Sequence, residues 1–204
     1  MAMSTVDLVE QRVRDGLLRG EYAPGTWLRQ DDLAAELGVS KIPVREALQR
    51  LAAASLVAFE PNRGAIVRAL TAADAEEIFA LRLAIEPLLL GRAIRRHTIV
   101  DLATAELELA KPAGSITEAN WRFHRALYAA AQWQRALVTV ETLHAQVAPY
   151  VLLYTEGLGG ANTSDAEHRR LLELCRAKDV DAAEGVLRDH VLEAAQSVMG
   201  YLSR

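Results

Sequence analysis

Residues 31–51, "DDLAAELGVSKIPVREALQRL", most tightly constrain what this chain can fold into. Leu33, Ala34 and Leu37 share one helical face, and Gly38 stops that helix in the manner of a left-handed C-terminal residue. Ser40 then stands where a second helix, over about 41–54, needs its N-cap. Pro43 falls in the first turn of that helix, where a missing N–H costs no intrahelical bond. Val44, Ala47, Leu48 and Leu51 form its apolar face, while Ile42, Arg45, Glu46 and Gln49 point the other way. Two helices joined by a short turn containing Gly form the helix-turn-helix pattern.

The flanks extend this pattern into a domain. A first helix is expected over 5–19, ended by the turn-rich "GEYAPGTW". After the second helix, β-rich runs at 56–59 and 65–67 flank "EPNRG", where Gly64 can take the positive φ that a hairpin often needs. A hairpin directly after a helix-turn-helix makes a wing, with Asn62 and Arg63 at its tip. A boundary at about residue 70 follows, because Thr71 and Asp74 have capping-box spacing. Helical periodicity then predicts helices at about 72–97, 99–110, 116–131, 134–156, 163–177 and 180–203. The fold class is mainly α: a winged helix-turn-helix over 1–70 with a small β-hairpin wing, then an all-α bundle over 71–204.

Composition narrows the function. No apolar run approaches the roughly 20 residues that span a bilayer, so no membrane association is expected. The N-terminus lacks a signal-peptide core, and the one cysteine, Cys175, lies among leucines as a buried thiol suited to a reducing cytoplasm. A net charge of −4 argues against indiscriminate coating of nucleic acid. Residues 39–68 nevertheless hold the cations Lys41, Arg45, Arg50, Arg63 and Arg68 against only Glu46 and Glu60, a local basic surface compatible with site-specific phosphate contact.

On a helix lying in a major groove, Arg45 can fork onto guanine, Gln49 can pair with adenine, and Ile42 can offer apolar contact to a thymine methyl. Lys41 and the capped N-terminus suit a phosphate. A solvated helix face would show the same residues, and the neighbouring helix, turn and wing are what favour DNA. In the second half, Asn120 with His124, His168 and His190 all fall on core-facing arcs of three different helices. Converging imidazoles in a bundle suit a metal, whereas separate core histidines would each hydrogen-bond to backbone or water. His144 also faces inward, and His97, after Arg95-Arg96 near a helix C-terminus, is expected to be a surface or dipole-stabilising residue. Arg82 faces the core and needs an anion, either Glu86 one turn away or the carboxylate of a ligand.

"DLAAELGVSKIPVREALQRLAAASLV" followed by "PNRGAIVRAL" resembles the winged helix of the GntR family of bacterial transcription regulators. The helical remainder resembles the FadR-type subfamily, whose C-terminal part is the ligand-sensing FCD domain. This resemblance implies that Ser40, Lys41, Ile42, Pro43 and Arg45 occupy recognition positions and that Arg63 and Gly64 form a wing tip approaching the minor groove. Most relatives carry Arg at the position of Lys41, Thr at Ile42, and many carry a backbone-contacting Arg at Asp31, for which Arg29 is the nearby substitute. The resemblance also implies a metal site at Asn120 and His124 in "NWRFHRAL", His168 in "AEHRRLL" and His190 in "LRDHV", with Asn120 where relatives more often have Asp. It likewise implies Arg82 in "EIFALRLAIE" as a fork for an effector carboxylate.

The expected protein is a repressor that binds a palindromic operator in double-stranded DNA as a homodimer. A small carboxylate effector beside a divalent transition metal, zinc or nickel, would modulate it. With Asn120 the ligand set is uncharged, so open metal positions should favour an anion. The competing readings are a metal-dependent hydrolase and a metal-free regulator with structural histidines. Against the hydrolase, no carboxylate stands out in sequence as a general base beside the histidines.

Overall fold

The computed structural model describes residues 4–61, 63–110, 115–158 and 161–203, and within 153–158 and 161–164 the backbone alone. The N-terminal part begins with α1 (Thr5–Leu18), opened by a capping box in which Ser4 and Asp7 exchange side-chain and backbone bonds. Strand β1 (Trp27–Arg29) leads directly into α2 (Gln30–Leu37), and Gly38 ends α2 at φ 63°, ψ 32°. Then follow α3 (Lys41–Ala53), β2 (Val57–Glu60) and β3 (Gly64–Val67). Val9, Val13, Leu17, Leu33, Val44, Leu48 and Leu51 close the small core.

Two features of the sheet differ from expectation. The wing has three strands in the order β1-β3-β2, because Trp27, Leu28 and Arg29 pair antiparallel with Ile66, Ala65 and Gly64. A three-residue strand is too short to show alternation, so only a turn was visible there. Gly64 is also not part of an exposed tip: it is buried at the start of β3, opposite both Arg29 and Glu60. Its φ is +127°, and a Cβ there would lie 2.1 Å from the Leu28 carbonyl oxygen, so the close approach of β1 requires glycine. Arg63 is exposed, while Asn62 lies outside the described residues.

The C-terminal part consists of α4 (Ala72–Ile94), α5 (Ile99–Ala110), α6 (Ile116–Ala129), α7 (Gln134–Leu158), α8 (Ala161–Ala177) and α9 (Val180–Leu202). Thr71 and Asp74 form the expected capping box. Helix α4 stops at Ile94, and a new cap forms at once as Thr98 N–H donates to Asp101 at 2.8 Å. Helix α4 packs chiefly along α9 and α7, and α5 along α6. Cys175 is fully buried, and burial pushes its thiol up to about 12, as an inert core residue requires. Among the described residues no helix is long and apolar enough to cross a membrane.

Side chains from the helical part tie the two parts together. Leu18 ends α1, and its carbonyl, one of the orphan acceptors of a helix end, receives Ser115 Oγ at 3.0 Å and Thr117 Oγ1. Gln146 donates to the Ala54 carbonyl at 3.1 Å, and Leu70 N–H donates to the Tyr150 hydroxyl at 2.6 Å. Replacing Gly64 by Ala should lower the unfolding free energy by about 2 kcal/mol, through a strained φ and the collision with Leu28. Urea denaturation reads this directly, and an unchanged midpoint would show that β1 can move aside.

Candidate functional site

On the N-terminal part, Lys41, Ile42, Arg45 and Gln49 form one exposed face of α3, with Ile42 71% accessible. An apolar side chain left so exposed gains nothing from packing within its own chain. Ser40 holds the N-cap position in extended conformation but makes no capping bond, and Pro43 is half-buried in the first turn. Lys41 Nζ lies 2.6 Å from Asp31 Oδ1, so the aspartate that would repel a phosphate is held by the first cation of α3. Trp27, Arg29, Asp31, Lys41 and Arg63 line one groove between wing and helix, which places Arg29 and Arg63 beside α3.

In the helical part, His124 of α6, His168 of α8 and His190 of α9 converge, with ligand atoms within 4.8 Å of one another. Their exposures are 0%, 4% and 7%, and the ring centroids lie 4.8–5.2 Å apart. The sequence could place each on an inward arc; the bundle brings them together. Asn120 joins His168 and His190 in lining a cavity of about 130 Å³ next to this cluster. Leu18 of α1, Arg82 of α4 and His144 of α7 add to its wall from other elements, beside Phe123 of α6 and Val198 of α9.

The tautomers follow from the hydrogen bonds. Glu86 of α4 is 0% exposed and accepts from Arg82 Nε at 2.6 Å, from the Tyr128 hydroxyl at 2.7 Å and from His144 Nε2 at 3.2 Å. Burial alone would raise its carboxyl, but Arg82 and His144 hold it well below the usual range, so it is ionised and accepts only. Tyr128 therefore spends its proton on Glu86, and the bond between its oxygen and His124 Nδ1, 3.2 Å, must be donated by His124. This leaves the His124 Nε2 as a bare lone pair, and that atom is buried without a partner. His190 Nδ1 likewise donates to Glu167 at 2.7 Å, which leaves the lone pair on Nε2, and His168 Nε2 is also buried without a partner among the described residues. His124 and His190, fixed through Nδ1, present their Nε2 atoms as metal-ligating histidines commonly do. The donor set fits a metal of the zinc or nickel type.

Residues 77–193 match the FCD domain family, and residues 5–67 match the "Bacterial regulatory proteins, gntR family" model. The chain belongs to the GntR family. The HTH-type transcriptional repressor RspR of Escherichia coli K12 is 28% identical over 184 residues, covering 86% of this chain and 81% of that protein. A GntR family member from Pseudomonas syringae pv. tomato is similar in structure, at 34% identity and TM-score 0.57 over 98% of this chain and 86% of its own. Escherichia coli McbR/YncC superposes at TM-score 0.86 over 99% and 98% of the two chains, with 24% identity, a likeness of fold. The protein is thus a transcription regulator of a DNA-binding family, and not an enzyme.

Several functional groups were hidden in the sequence. Glu86 appeared only as a neighbour of Arg82, because nothing in the pattern of α4 shows that Tyr128 and His144 meet it. Arg82 is paired with Glu86, as the structural alternative had it, yet it also lines the cavity, and its described hydrogen bond uses Nε only. Carboxylates do accompany the histidines: Glu108, Asp165, Glu167 and Glu193 line the cavity, contrary to the expectation of none. Asp165 and Glu193 stand three residues from His168 and His190, the one signal that could have found them. The neutral set expected of Asn120 and the three histidines also gains an outer charge, from Glu167 through His190. His97 is buried, not at the surface, because Nε2 donates to the Leu127 carbonyl at 2.8 Å.

Burial lowers the pKa of His97 and of His144, the latter from 6.5 to about 4. The unfolded chain takes up these protons first, so their contribution to stability is complete above pH 6.5 and is lost as pH falls toward 4. Glu86, with a depressed pKa, adds a loss of the same sign at still lower pH. The metal-free chain should therefore show a urea midpoint that falls steadily from neutral pH to pH 4, with a smaller fall in His144→Gln. A flat profile would contradict the neutral state of these imidazoles.

Proposed function

We propose that this chain is a repressor that binds a palindromic operator as a homodimer and responds to a small organic acid. The acid sits beside a divalent metal, zinc or nickel, held by His124, His168 and His190 with Asn120. The observation that carries this reading is the cavity wall itself, which combines Asn120, His168 and His190 with Leu18, the last residue of α1. A ligand there touches the DNA-binding part directly, and any ligand acts by differing in affinity for two states of the protein.

A divalent metal bound there supplies open positions for an anionic group. Arg82 lines the same space and offers its Nη nitrogens to a carboxylate while Glu86 fixes its position. Thr117 lines the cavity and donates to the Leu18 carbonyl, so movement of the first turn of α6 is passed to α1 through one hydrogen bond. Helix α1 packs on α3, and that contact relays the shift to the recognition helix. There Arg45 and Gln49 read base edges, Ser40, Lys41 and the N-terminus of α3 with Pro43 meet phosphates, and Ile42 meets a thymine methyl. Arg29 and Arg63 flank them, while buried Gly64 serves the wing through its backbone. Leu81 and Leu88, 42% and 60% exposed on α4, support a contact with a second copy.

Arg45→Ala should weaken operator binding by about 10- to 100-fold and abolish the preference over unrelated DNA. Fluorescence anisotropy with both DNAs measures this, and specific binding that survives would remove Arg45 from the reading face. His168→Ala should release the metal that the purified wild-type chain carries, whereas Thr117→Val should keep the metal but speed amide hydrogen exchange around the end of α1. Elemental analysis and exchange mass spectrometry check the two variants. A metal-free wild type, or unchanged exchange in Thr117→Val, would break the corresponding link.

A further inference from the structure

The cavity beside the histidines has a charge pattern that narrows what it accepts. Among the described residues its one cationic side chain, Arg82, is already balanced by Glu86 at 2.6 Å. Against it stand four carboxylates, Glu108, Asp165, Glu167 and Glu193. Glu108 is paired with Arg122 at 3.0 Å, and Glu167 accepts from His190. Asp165 and Glu193 are exposed, and no hydrogen bond or ion pair of either side chain is present among the described residues. Asp165 lies one turn before His168 on α8, and Glu193 one turn after His190 on α9, so both flank the histidines on the cavity side. His168, 4% exposed, lines the same space with an unpartnered Nε2. One end of the cavity thus awaits an electron-pair acceptor and an anion, and its rim offers two bare carboxylates.

We propose that the effector is a zwitterion of the amino-acid class, with its carboxylate at the Arg82 and histidine end and its ammonium group between Asp165 and Glu193. The inference rests on the reading of the histidines as a metal site. A di- or tricarboxylate would bring its outer charge against Asp165 and Glu193, where like charges repel. A hydroxy acid fills the same volume but leaves both rim carboxylates without a cation. An amine without an acid gains the rim and forfeits the inner end. Apolar Leu109, Phe123, Val147 and Val198 in the wall leave room for an aliphatic side chain.

The test uses the full-length, metal-loaded chain in isothermal titrations. The common L-amino acids are each set beside the 2-hydroxy acid and the primary amine of the same skeleton, with citrate as a multivalent anion. At least one amino acid should bind about tenfold tighter than both its counterparts. The double variant Asp165→Asn, Glu193→Gln should erase that preference; both positions are exposed, so its melting temperature and metal content should match the wild type. A hydroxy acid or citrate binding as tightly as the best amino acid, a preference that survives in the double variant, or binding by no amino acid overturns the proposal. If the wild type holds no metal, the site reading beneath it fails as well; if it holds metal and prefers hydroxy acids, only the zwitterion fails.

Discussion

A carboxylate with no access to solvent organises the helical part of this regulator. Glu86 would be too costly to bury ionised without compensation, and three helices supply it: Arg82 from its own α4, Tyr128 from α6 and His144 from α7. The same charge sets the direction of every hydrogen bond around it. Because Glu86 only accepts, Tyr128 donates to it, His124 donates to Tyr128, and the far nitrogen of His124 is left bare toward His168 and His190. A buried ion and a candidate metal site are thus one network. Removing the carboxylate would leave the guanidinium of Arg82 uncompensated and free the tautomer of His124.

The second organising contact is the meeting of the two parts at the C-terminal end of α1. Helix ends leave carbonyls without partners, and the hydroxyls of Ser115 and Thr117 satisfy the one on Leu18 from the start of α6. Ser115 also accepts from Glu118 N–H as the N-cap of α6, so one hydroxyl ends one helix and begins the other. The cavity adjoins this junction. Occupancy and the seating of α1 are therefore mechanically close, without a long chain of intermediaries.

What the sequence revealed follows the range of each physical signal. Helix faces and caps are local, so Gly38, Ser40, Thr71 with Asp74, and the inward arcs of His124, His168 and His190 were readable at a spacing of three or four residues. Longer-range pairings were not. Strand β1 exists because Gly64 lets it approach, a fact divided between residues 35 positions apart. Glu86 meets Tyr128 and His144 only once α4, α6 and α7 pack, and Glu167 meets His190 only across α8 and α9. His97 was misread because its local neighbours are Arg95 and Arg96, while its partner, the Leu127 carbonyl, lies on another helix. The exposed face of α3 was the most legible region, since exposure of Ile42 and Arg45 follows from helical geometry alone.

Strand β1 has a further consequence for how the DNA-binding part can move. Arg29 is both the register partner of Gly64 in the wing and the N-cap of α2. The wing and the helix pair are therefore joined through a single residue, with no linker between β1 and α2. The wing therefore cannot swing away from α2 without breaking the β1–β3 ladder, and whatever tilts the helix pair carries the wing with it as one lever.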